Sequence, residues 1–188
     1  MEYFYDLKVE AKAADLAIEK LLDEEKLIRL HPHWFVESRQ DTNGWCQFRL
    51  RDYATGREFE LGLVMSSDPA GKAPPGSAPV LRMTLHKIPV EEILFHVQEN
   101  KVRVRLRSQE ALPPELEQDM LLWIRAIQEY LRLYAATTPQ TLVFRGIMNG
   151  MMLKMNPSQR KITIMLTKIT VIELLVTIII VVGYVYFG

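Results

Sequence analysis

The chain has a single cysteine, Cys46, in 188 residues. That excludes an internal disulfide and any zinc site built from cysteines alone. It also lacks an excess of either charge: 23 Lys and Arg balance 23 Asp and Glu. The global basic bias of a nucleic-acid binder is therefore missing, and no nucleic acid is expected as a partner. No glycine-rich phosphate loop or dinucleotide fingerprint occurs. The first residues, Met-Glu-Tyr-Phe-Tyr-Asp, show no basic stretch leading into an apolar core, so no cleaved signal peptide is expected.

What the chain does have is one long apolar run. Residues 169–188, ITVIELLVTIIIVVGYVYFG, carry one charge, Glu173. Twenty helical residues rise about 30 Å, enough to cross the hydrocarbon of a bilayer. Ile, Val and Leu on every side argue against a core helix of a soluble protein. Tyr184, Tyr186 and Phe187 suit the far interface. Lys154, Arg160, Lys161 and Lys168 precede the run and no charge follows it. The positive-inside rule then predicts a single-pass protein with its N-terminal part cytoplasmic and its C-terminus at the opposite face. Lys168 and Glu173 can both snorkel to the near interface. Alternatively, Glu173 faces a partner helix, since an unpaired carboxylate in lipid is costly.

Ahead of the run, Phe144, Ile147, Met148, Met151, Met152 and Met155 recur at helical spacing, with Arg145, Asn149 and Lys154 largely opposite. This predicts an amphipathic, Met-rich helix that lies in the headgroup layer, caps the domain's pocket, or packs as an ordinary core helix. Asn156-Pro157 should break it. Met148, Met151, Met152, Lys168, Glu173, Tyr184 and Tyr186 are thus the expected contacts with membrane lipid or with other membrane-protein subunits. The chain divides into a domain at 1–136, a juxtamembrane linker at 137–160 and a membrane helix at 161–188.

Residues 2–10 alternate as a half-buried strand. Helical spacing follows at 13–22 and 24–30, ending at His31-Pro32. Alternation then predicts strands at 34–39, 45–52, 58–65, 80–88, 91–98 and 101–107. Loop composition marks 68–79, and Glu99-Asn100 marks a turn. Arg49 and Arg51 are expected opposite Glu58 and Glu60. Pro113-Pro114 opens a long helix to about Tyr134. A sheet with one apolar face must be covered, and that helix is the available cover. Phe48, Phe59, Leu61, Met83, Phe95, Val104, Trp123 and Ile127 would line the space between them.

The element order, the short helices ending in LHPHW (Leu30 to Trp34) and the helix PPELEQDMLLWIRAIQEYL resemble the START and polyketide-cyclase superfamily (SRPBCC). The resemblance covers residues 2–135 and is one of pattern, since no residue is a universal signature there. It implies an α+β helix-grip fold, a curved antiparallel sheet around a long helix. It also implies an apolar cavity for a lipid, a quinone or a similar molecule. The long apolar extension lies outside the usual pattern.

No catalytic constellation stands out. His31 and His33 flank Pro32, but no further His or Cys lies near in sequence to complete a metal site, so neither a metal nor a cofactor is expected and the pair reads as helix-end or surface-exposed residues. His86 and His96 fall on polar strand faces, and Cys46 is expected inward as a small hydrophobe. Arg103, Arg105 and Arg107, with Lys101, form a positive stripe. It reads as a solvated outer face balanced by Glu58, Glu60 and Glu92, or as a dock for anionic headgroups or an acidic partner. Three functions follow: a membrane-anchored, non-catalytic binding module for an apolar ligand; an accessory subunit of a membrane complex; or, ranked last, a cyclase-like enzyme.

Overall fold

The structure is a computed structural model and describes residues 1–9, 18–42, 44–68, 78–98 and 101–187. The expected helix at 13–22 is described only from Ile18; most of the 68–79 loop and the Glu99-Asn100 turn lie outside the described residues. The chain forms two compact units, Met1–Lys154 and Met155–Gly188.

In the first unit, β1 (Glu2–Leu7) precedes two short helices, α1 (Ile18–Leu21) and α2 (Glu24–Leu30). Six strands follow: β2 (Trp34–Thr42), β3 (Trp45–Asp52), β4 (Glu58–Asp68), β5 (Ala78–His86), β6 (Val90–Gln98) and β7 (Lys101–Ser108). Then come α3 (Pro114–Ala135), α4 (Pro139–Gly150) and a single 3-10 turn, Met152–Lys154. The fold is α+β, as the alternation predicts. Among the described residues, one seven-stranded antiparallel sheet runs in the order β1-β7-β6-β5-β4-β3-β2. A meander of neighbours is the natural outcome of short turns, and β1 closes it by pairing far along the chain, with Glu2 opposite Arg107 and Leu7 opposite Val102.

Local chemistry sets the element ends. Asp23 caps α2, its carboxylate accepting the Lys26 amide at 2.7 Å, and the helix stops at His31 before Pro32. Between β3 and β4, Asp52 accepts from the Ala54 amide and the Thr55 hydroxyl, both at 2.8 Å. Gly56 completes that turn at φ 73°, a conformation that glycine adopts without strain.

Inward positions of the sheet meet one stripe of α3, with Met120, Trp123, Ile124, Ile127, Tyr130 and Leu131 buried. The centre is aromatic. Trp123 donates its indole N–H to the Leu27 carbonyl at 2.7 Å, tying α3 to α2. Trp34 stands 5.3 Å from both Trp123 and Phe59, centroid to centroid. His31 stacks on Trp34 at 3.9 Å.

Trp123→Ala should lower the stability of the full chain in detergent by about 3–5 kcal/mol, through the cavity and the orphaned Leu27 carbonyl. Trp123→Phe keeps most of the volume and should lose less. Urea unfolding followed by far-UV circular dichroism measures both; no loss in Trp123→Phe would contradict the role given to the indole N–H, and equal losses would contradict the role given to its volume.

Candidate functional site

The eight residues expected to line an apolar recess all come together, but as closed interior. Phe48, Leu61, Met83, Val104 and Trp123 are 0% accessible, and Phe95 and Ile127 are 1% accessible. Phe59 is half-buried against the same cluster. A recess of about 300–1,000 Å³ would leave its lining some accessible surface, and these seven side chains have essentially none. Their contacts are with each other.

The titratable groups near this core are arranged as structural partners. His31 is fully buried, although its place at a helix end suggested only capping or exposure. Its Nδ1 accepts the His33 amide at 3.2 Å, so its Nε2 carries the proton, 3.3 Å from the Asp119 carbonyl. Burial raises the carboxyl pKa of Asp119, and the charge of Asp52 adds to it. Among the described residues, no group of three His, Cys, Asp or Glu side chains is placed to hold a metal. Cys46 is half-buried, with Arg39 3.3 Å from its sulfur. Burial pushes its thiol pKa up, the reverse of what a nucleophile needs.

The outer sheet face is a ladder of ion pairs. Arg49 and Arg51 both reach Glu58, at 2.9 and 2.8 Å, and Glu37 lies beside both. In the β3–β4 register Arg49 stands opposite Glu60 and Arg51 opposite Glu58, as alternation predicts, while the ion pair of Glu60 is with Lys87. Sequence alternation found these strands but assigned the wrong acids to the arginine stripe. Arg103 pairs with Asp6 at 2.7 Å and Arg105 with Glu2, both on β1, while Glu92 pairs with Arg82. The counter-charges come from a strand nearly one hundred residues away. Phe4, between Glu2 and Asp6, lies 5.6 Å below the Arg105 guanidinium. His86 packs against Trp45 at 3.4 Å rather than standing free. His96 is half-buried near this stripe; burial lowers its pKa, and Arg105 and Arg103 lower it further.

The segment between α3 and the last helix belongs to the domain up to Lys154, not to a free linker. Leu153 is buried, and its carbonyl accepts from Arg29 at 3.2 Å. Arg145 donates to the Leu133 and Ala136 carbonyls, both at 2.9 Å, capping the end of α3. Its guanidinium also lies 4.6 Å over the Tyr134 ring. Asn149 accepts from the Tyr130 hydroxyl at 3.0 Å and donates to the Tyr134 hydroxyl at 2.7 Å. Burial pushes the Tyr130 phenol far above its ordinary range. Of the methionines expected at a membrane or partner, Met148 and Met152 are half-buried and Met151 is exposed.

The second unit is dominated by α5 (Pro157–Phe187), which starts at the expected Asn156-Pro157 break and so ahead of the start at 161 read from the sequence. Asn156 and Gln159 cap it reciprocally, through bonds of 2.8 and 3.0 Å. The helix is long and apolar enough to cross a membrane, and its most apolar stretch is not buried. Lys168, Glu173, Tyr184 and Tyr186 all lie on this one helix and are exposed. Thr167 and Thr177 turn their hydroxyls back to the carbonyls of Thr163 and Glu173, each at 2.8 Å.

No family model and no curated protein matches the chain. A solved structure that resembles it is the solution structure of Chr148 from Cytophaga hutchinsonii, with a TM-score of 0.40 and 15% identity over 68% of this chain and 87% of that one.

The lowered His96 pKa carries a sign. Below its ordinary value of about 6.5 the unfolded chain takes up the proton first. Stability should therefore fall as pH drops from that value through the folded one. Melting curves of the wild-type chain and His96→Gln, taken in neutral and in mildly acidic buffer, should show a smaller acid loss in the variant. An identical loss would contradict the assignment.

Proposed function

We propose that the chain is a non-catalytic interaction domain held at a membrane by α5, acting as an accessory subunit of a larger membrane assembly. The observation that carries this reading is a contrast in burial. The domain's interior is closed on itself, while the most apolar helix of the chain buries none of its apolar stretch. Exposed Ile, Leu and Val on every side of a helix suit lipid and neighbouring spans. The cationic residues Lys154, Arg160, Lys161 and Lys168 support a cytoplasmic domain by the positive-inside rule. Glu173 favours an assembly over a lone anchor. By helical spacing it shares a face with Thr170 and Thr177, and intramembrane polar side chains typically face a partner helix.

A second reading has one specific observation behind it. The strand order and the long α3 across the inward face agree with the helix-grip pattern of the START and polyketide-cyclase superfamily. Under that reading α3 and the sheet part to admit a lipid or quinone, and the closed interior is the unliganded form. The cyclase-like enzyme has no comparable support: both ring nitrogens of His31 are spent on backbone groups, and the Cys46 thiol is held in its neutral form by burial.

The full chain should stay with the membrane pellet through an alkaline carbonate wash, and deletion of residues 169–188 should release it. Purified in mild detergent from the cells that make it, it should bring other membrane proteins in fixed ratio. Solvent extraction should yield no stoichiometric apolar molecule. A bound quinone or lipid at one per chain would favour the carrier, and release of the intact chain by carbonate would remove the anchor.

A further inference from the structure

The helix α4 is amphipathic with its polar side turned toward α3. Surface helices ordinarily bury an apolar stripe and show polar residues to water. Here Arg145 and Asn149 face α3 and are held by its terminal carbonyls and by the two tyrosine hydroxyls, and Met148 is the apolar contact with the core. Leu142, Val143, Phe144, Ile147 and Met151 are left exposed. Gly146 and Gly150 among them have open space where a Cβ would stand. By helical periodicity the outward arc carries no charged residue.

We propose that this arc is a lipid-contacting surface, with α4 seated in the headgroup and upper acyl region of the bilayer that α5 crosses. The inference rests on that reading of α5 and names a second point of attachment. Three observations favour lipid over a protein partner. The arc carries no charged side chain of its own. Its polar partners are already satisfied within the domain, so it offers apolar area and nothing to pair with. Only five residues separate Met151 from Pro157, where α5 begins, so the chain can hold the two helices at one bilayer surface. An interfacial helix inserts about 5–10 Å, the depth at which such an arc is covered while its hooks stay on the domain. The domain would then be fixed at the membrane by two contacts and held in one orientation.

The test uses the full chain with Cys46→Ser, carrying one environment-sensitive fluorophore on Val143→Cys, Phe144→Cys or Ile147→Cys. Arg57→Cys on the β3–β4 turn serves as the water-exposed control and Ile179→Cys in α5 as the deep control. The protein is reconstituted into phosphatidylcholine vesicles containing lipids brominated near the headgroup or near the chain end. The three α4 probes should be blue-shifted and quenched several-fold more by shallow than by deep bromines, while Ile179 is quenched by deep ones and Arg57 by neither. Water-like emission at all three α4 sites with Ile179 still quenched would overturn this inference and leave the anchor intact. Water-like emission at Ile179 too would overturn the anchor itself. Blue-shifted α4 probes that lipid bromine does not quench, but that quench one another as protein density rises, would mean a second copy covers the arc, and would also overturn it.

Discussion

A helix apolar on every side has no stable place in water, and that constraint governs how the rest of this chain is understood. Each Ile, Leu or Val taken out of water is worth about 1.5–3 kcal/mol. More than a dozen such side chains stand exposed along α5. Their summed preference for an apolar medium exceeds the total stability of an ordinary domain, about 5–15 kcal/mol. The length and composition of the helix suit a bilayer, the covering proposed for it here. Once α5 is in lipid, the domain is confined to a surface, and its remaining features are those of a surface-bound module.

The domain meets that confinement with a closed core and a paired exterior. The sheet presents one apolar face, α3 covers it, and Trp34, Phe59 and Trp123 pack against one another at the centre. On the opposite face Arg49, Arg51, Arg82, Arg103 and Arg105 each pair with an acid on a neighbouring strand. Such exposed pairs add little stability individually, but they leave the arginine stripe less available to anionic headgroups. The unspent surface lies instead on α4 and α5, where apolar side chains face outward.

Much of this was legible in the sequence because the signals are local. Alternation located β3 at its observed residues, and His31-Pro32 ended α2. Pro113-Pro114 opened α3, and Asn156-Pro157 marked the break ahead of α5. What stayed hidden depends on distant pairing. The acids facing Arg103 and Arg105 sit on β1, which joins β7 only in the folded sheet. His31 looks exposed at a helix end, yet Trp34 and Trp123 enclose it. The stripe drawn through α4 mixed Met148 and Met152, which turn toward the domain, with Phe144, Ile147 and Met151, which turn away. Spacing alone cannot orient a helix whose polar residues find partners inside, and only the bonds of Arg145 and Asn149 decide it.

The central claim is that α5 runs across a bilayer. Solid-state NMR of the uniformly labelled full chain in aligned phospholipid bilayers measures the angle between each helix and the membrane normal. The account predicts that the amides of residues 169–186 report a helix within about 40° of the normal, the range observed for membrane-spanning helices. Amides reporting a helix flat on the bilayer, or tumbling freely in water, would contradict it.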